Sequence, residues 1–268
     1  MDLDTSKAWS EAQATVSANK EVLAAIAGVF FFVPALALAL FYPQPEPPAG
    51  ADPKQILAMM RTFYAGIAPW MAASAVVQVL GQLAVLTLTT RAGRVTVGEA
   101  IREALSGLLP YLGSQILVMA GAMLAMGLIA LLAGLSVALA VVIGLLVFIA
   151  ALWAGLRLTL VPVVVAVERQ RNPVAILRRS WDLTRGNAGR ILLFVLVLSV
   201  AIAVISLVAA AVVGVMLALL GGAEAARIGG AVVSSIVGAG FATYLAITFA
   251  AMHRQLAGTG AGDGAVFD

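Results

Sequence analysis

A chain of 268 residues that is 62% hydrophobic and 11% charged, with a mean hydropathy of +1.06, is far from a soluble domain, in which about 25% of residues are charged. Cysteine is absent, which excludes disulfides, thiolate metal sites and a cysteine nucleophile. The formal net charge is +3, but the basic residues flank apolar runs of spanning length, so the excess points to anionic lipid headgroups rather than nucleic acid.

Residues 5–19 read as a polar, weakly amphipathic segment with Trp9 and Val16 among small residues. A first spanning helix is expected from Val22 to Phe41. Its long, mixed-charge leader, with Lys7 and Lys20 against Asp2, Asp4, Glu11 and Glu21, argues for a retained helix over a cleaved signal. Tyr42 to Pro53 is rich in proline and cannot be helical. Lys54 to Tyr64 reads as a short interfacial helix, and Gly66 to Thr90 as the second span, with Gln78 and Gln82 inside it at i, i+4.

Thr96-Val-Gly-Glu99 has the spacing of a capping box, which should start a short helix through Leu105. The third span is then Pro110 to Leu132, with a tight turn at Ala133-Gly134. The fourth helix begins near Leu135 and stays apolar for some thirty residues except at Arg157. About twenty suffice for a span, so it should tilt, kink at Pro162 or run past the membrane. Asn172-Pro173 is a helix start, N-cap then proline in the first turn. Val174, Leu177, Trp181 and Thr184 share one face of the helix that follows, which predicts an interfacial helix with its Trp at headgroup level. Gly186 to Gly189 should end it. Ile191 to Leu220 and Ile228 to Met252 are the fifth and sixth spans, joined by a loop from Gly221 to Arg227, and the Gly-rich tail 258–268 reads as disordered.

Three polar segments, Ser6–Gln13, Gly98–Leu105 and Val174–Trp181, each precede an apolar hairpin. The even spans end alike, at Thr-Thr-Arg91, Glu168-Arg-Gln and His253-Arg-Gln. This suggests one membrane domain, 1–257, built from three units of interfacial helix plus hairpin (about 5–91, 96–168 and 172–256). Twelve Lys and Arg residues fall on one side of such a bundle and three (Lys54, Arg61 and Arg227) on the other, so the positive-inside rule places both termini and all three polar helices in the cytoplasm.

Six of the sixteen basic residues lie between positions 169 and 190: Arg169, Arg171, Arg178, Arg179, Arg185 and Arg190. Arg157 is the one charge inside a span. It costs on the order of 2.5–3.5 kcal/mol there and should face the bundle, either locking it or meeting a lipid headgroup. Gln78 and Gln82 are its favoured partners, because Glu168, eleven residues on, stands roughly 16 Å along a straight helix. Glu168 should instead reach the following helix near Arg178 or Ser180. The lipid- or partner-binding candidates are therefore Arg157, Glu168, Arg171, Arg178, Arg179, Trp181, Arg185 and Arg190. Gly230, Ser234, Gly238, Ala242, Ala246 and Ala250 recur every fourth residue as a close-packing row. His253, the sole histidine, reads as an interfacial residue. No triad order, HExxH or P-loop occurs, so neither catalysis, metal nor cofactor is expected.

Arg157, Pro162, Glu168, Pro173 and the run Ala175-Ile-Leu-Arg-Arg-Ser-Trp-Asp-Leu-Thr-Arg-Gly186 resemble the bacterial glycerophosphoryl diester phosphodiesterase membrane domain, found also in stand-alone six-span proteins similar to YciC. Asn172 stands where a Gly is usual, and Asn187 to Gly189 where an aromatic is common. The resemblance implies an inner-membrane module and carries over no catalysis. The expectation is a non-enzymatic bacterial inner-membrane protein that binds anionic phospholipid or a membrane partner through its basic cytoplasmic helix. The alternative is a transporter or channel for a small or lipidic solute.

Overall fold

The computed structural model of the chain describes residues 3–48, 50–90 and 95–258. Arg91 and Arg94, counted toward the orientation above, and the tail from 259 onward lie outside them. Among the described residues the protein is all-α, without a strand. Five segments are long and apolar enough to cross a membrane: Lys20–Phe41, Pro53–Thr90, Val97–Leu135, Val137–Val167 and Ala188–Leu256. Large apolar side chains are exposed all along them, from Val29 and Val33 through Leu145 and Phe148 to Leu219 and Leu220. Contiguous apolar surface on that scale is not tolerated in water, which is why these helices are read as lipid-facing.

The elements in order are α1 (Thr5–Ala18), α2 (Lys20–Ala27), a π-helical turn (Gly28–Phe32), α3 (Val33–Phe41), α4 (Pro53–Thr90), α5 (Val97–Leu135), α6 (Val137–Arg157), α7 (Val161–Val167), α8 (Pro173–Leu183) and α9 (Ala188–Leu256). The start signals operate as expected. Thr96 and Glu99 form both halves of the capping box, and the Asn172 side chain accepts from the Val174 and Ala175 amides, with Pro173 in the first turn. The stop signals do so less well. Lys54–Tyr64 and Gly66–Thr90 are one helix that runs through Pro69. The helix expected at 96–105 continues through Pro110 to Leu135, and the tight turn moves from Ala133-Gly134 to Ser136, the N-cap of α6. In a non-aqueous phase an interior proline is tolerated, because neighbouring groups re-satisfy the freed backbone.

The chain groups into two compact units. The first comprises residues 1–19, 83–198 and 244–268, the second 20–82 and 199–243. In the second unit the π-turn brings Phe30 so close to Gly81 that any side chain at 81 would collide with it. The expected loop Gly221–Arg227 shrinks to a single residue, Gly222, at φ 79° and ψ −172°, a conformation that glycine adopts without penalty. Beyond it the chain turns back, since Gly229 lies against the side chains of Leu217 and Val213, twelve or more positions away and out of reach along a straight helix.

In the first unit α7 is hydrophobic all round, and Val161 to Ala166 are all buried. α5 packs on α6, α7 and α8, and α7 on α8. Gly107 and Gly113 let α5 lie flush, the first against Val165 and Arg171, the second against Pro173. The amide of Leu3 donates to Asn187 Oδ1 at 2.9 Å and that of Asp4 to Gln255 Oε1 at 3.1 Å. The two ends of α9 therefore meet at adjacent residues, whereas a straight helix of 69 residues would hold them about 100 Å apart. Trp9 closes the same junction, its ring 6.1 Å from Phe194 and 4.8 Å from Tyr244.

Candidate site at the basic end of the first unit

Pro162 organises the site. It has no amide proton, so α6 cannot continue into α7 with an unbroken ladder. The Val161 amide turns back to the Leu158 carbonyl, which leaves the Arg157 carbonyl without its i+4 donor. Ser180 Oγ donates to that carbonyl at 2.9 Å, and Thr184 Oγ1 stands 3.1 Å from it. Both hydroxyls are fully buried. One helix end thus docks the amphipathic helix α8 through two side chains at i, i+4.

This docking fixes which face of α8 points inward. Ile176, Ser180 and Leu183 are buried, together with Thr184 just past its end. The expected apolar face of Val174, Leu177, Trp181 and Thr184 is therefore not the packed one: Thr184 alone of the four is buried, while Val174 is 62% exposed. Val174 and Arg178, at i and i+4, are exposed and Arg185 follows in the same phase, while Trp181 between them is half-buried.

Glu168 sits between three elements. Arg179 Nε donates to both its carboxylate oxygens at 2.9 Å, and His253 Nε2 lies 2.8 Å from Oε1. The expected partner helix is thus the right one, but the contact is Arg179 rather than Arg178 or Ser180. His253 departs from the interfacial reading: its side chain is 4% exposed, and it ties α9 to the end of α7.

Arg157 departs further. It is 6% exposed, and its guanidinium carbon lies 5.1 Å from the Trp153 ring and 4.8 Å from the Trp181 ring, the two indoles standing nearly perpendicular at 4.8 Å. Its Nε has no hydrogen-bond partner among the described residues. Gln78 donates to Ser74 Oγ at 3.0 Å, and both glutamines expected as partners of Arg157, Gln78 and Gln82, belong to the second unit. Trp153, one turn before Arg157 on the same face, is the residue the sequence reading omitted. The i, i+4 spacing of an aromatic and a cation was its only signal.

The remaining arginines divide. Arg171 pairs with Glu103 at 2.9 Å and donates to Ser106 Oγ at 2.9 Å, and Arg169 reaches the same carboxylate at 3.4 Å. Arg190 donates to the Leu3 carbonyl, and Arg254 pairs with Glu11 at 3.2 Å. Arg178 and Arg185 are exposed and make no ion pair among the described residues. No group of three or more His, Cys, Asp or Glu side chains able to hold a metal occurs among the described residues. No family model, no curated protein and no solved structure matches the chain.

Proposed function

We propose that the chain is a bacterial inner-membrane protein without catalytic activity, which engages anionic phospholipid headgroups through the outward face of α8. In this reading the Ala188–Leu256 segment crosses the membrane twice around Gly222, giving six crossings, and both termini and α8 are cytoplasmic. The resemblance of the 157–186 stretch to the glycerophosphoryl diester phosphodiesterase membrane domain supports the membrane-module part of the proposal. The observation that carries the lipid part is the division among the arginines. Arg169, Arg171 and Arg179 are paired with carboxylates, whereas Arg178 and Arg185 are exposed, without an ion pair among the described residues, beside the exposed Val174 and the half-buried Trp181. An aromatic and an aliphatic group that seek the interface, flanked by charges free to meet phosphates, suit an anionic leaflet.

Each such arginine contributes about 1 kcal/mol near the surface. The double variant Arg178→Ala with Arg185→Ala should therefore lower the preference for phosphatidylglycerol over phosphatidylcholine by roughly tenfold to thirtyfold. The readout is competitive lipid retention measured by native mass spectrometry of the full chain. An unchanged preference would sink the proposal.

A further inference from the structure

Arg157 poses an unsolved problem of valence. Two indoles attract a guanidinium electrostatically, but neither offers a hydrogen-bond acceptor. The five N–H donors of the guanidinium lie in its plane, and its Nε is buried with no hydrogen-bond partner among the described residues. A guanidinium that is 6% exposed, with an enclosed and unpartnered Nε, is stabilised by an anionic acceptor.

We propose that Arg157, framed by Trp153 and Trp181, is the phosphate site for one phospholipid molecule, a bound ligand distinct from the diffuse anionic surface that Arg178 and Arg185 address. Two non-bridging phosphodiester oxygens match the in-plane fork of an arginine. The surroundings select a lipid over a soluble phosphate. Trp153 is 49% exposed, and Ile149, Leu146 and Val142, which precede it at i−4, i−7 and i−11, are exposed large apolar residues on the same face of α6. That stripe rises about 16 Å from Trp153, close to one leaflet of a hydrocarbon core that is ~30 Å thick, so an acyl chain can lie along it. Trp181 continues the frame onto α8, three residues from Arg178, where a headgroup would emerge. The site rests on the membrane placement proposed above but reads the phosphate rather than the net headgroup charge.

Native mass spectrometry of the full chain, delipidated and then offered palmitoyl-oleoyl phosphatidylcholine, palmitoyl-oleoyl phosphatidylglycerol or dioleoylglycerol, tests it. The wild type should retain one molecule of either phospholipid and no dioleoylglycerol. Arg157→Leu should lower retention of both phospholipids by at least about tenfold, the loss of a charge-assisted bidentate contact. Arg178→Ala with Arg185→Ala should keep the bound phosphatidylcholine and lose only the preference for phosphatidylglycerol, so failure of the surface reading and failure of this site are told apart. Equal retention by Arg157→Leu, or retention of dioleoylglycerol like a phospholipid, overturns the proposal. If Arg157→Leu does not fold, Arg157→Lys decides by the same criterion, since it keeps the charge without the fork. In the wild type, titration with phosphatidylcholine should shift the tryptophan emission where dioleoylglycerol does not, and the absence of that difference also overturns the site.

Discussion

Glu168 and Arg157 carry opposite kinds of polarity at the same end of one unit. Glu168 is the acceptor for a bifurcated contact from Arg179 and for the imidazole of His253. Removing it leaves a buried imidazole nitrogen without its partner and frees α8 from α9, a loss of about 1–3 kcal/mol for a charge-assisted contact. Arg157 offers its bundle no hydrogen bond through Nε, and a leucine in its place would still pack between Trp153 and Trp181 while removing a buried charge. In a thermal-shift comparison in one detergent, Glu168→Ala should therefore melt clearly below the wild type, Glu168→Gln should fall between them, and Arg157→Leu should melt at or near the wild-type temperature. A reversed order would mean that the arginine holds the bundle and the glutamate does not. The sequence allowed half of this arrangement to be read. That Glu168 addresses the next helix follows from its place at the end of α7, because the helix starting at Asn172-Pro173 is the nearest polar surface. That Arg157 meets indoles was hidden, since a search for its partner among hydrogen-bond acceptors passes over the tryptophan four residues before it.

At the level of elements, starts were more legible than ends. Thr96 and Asn172 cap helices because each presents a side-chain oxygen to amides that have no other acceptor, a purely local requirement. Pro110 was read as a boundary and is not, and Pro69 lies inside α4, whereas Pro162 does interrupt its helix. The difference is tertiary: at Pro162 the carbonyl released, that of Arg157, finds the Ser180 and Thr184 hydroxyls 2.9 and 3.1 Å away, and no local pattern foretells such a pairing. The second polar segment of the expected repeat accordingly does not stand apart as its own helix, since α5 carries it straight into the span. The same pairing predicts how α8 comes loose. Ser180→Ala with Thr184→Val leaves a buried carbonyl unsatisfied, costing about 1–3 kcal/mol, and neither substitution adds volume that the packed interface must accommodate. Amide hydrogen exchange in α8 should accelerate by tenfold or more, an order-of-magnitude expectation from that cost, while α5 and α6 keep their protection. Uniform acceleration through all three helices would show that α8 is not a separately docked piece.

For the whole molecule the question is how often the chain crosses the membrane. Five segments qualify by length and composition, but the last does not behave as one rod. Gly222 breaks its dihedral run, Gly229 packs back on Leu217, and the N-terminal residues Leu3 and Asp4 bind both of its ends. A segment whose two ends share one partner has to return to the side it left, and each arm is longer than the roughly twenty residues a crossing needs. The proposed topology therefore has six crossings, with α1, α8 and the end of α9 on a common side. The composition provides the means of testing it: with no cysteine in the chain, every thiol introduced is a unique reporter. Single substitutions Ser10→Cys, Gln170→Cys and Arg185→Cys in intact cells should resist a membrane-impermeant maleimide until the membrane is opened. Gln44→Cys in the proline-rich loop and Ala223→Cys beside the Gly222 turn should react at once. If Ala223→Cys is protected along with Ser10→Cys, the Ala188–Leu256 segment does not carry its midpoint across, and the six-crossing topology falls together with the cytoplasmic placement of α8 that the lipid proposals require.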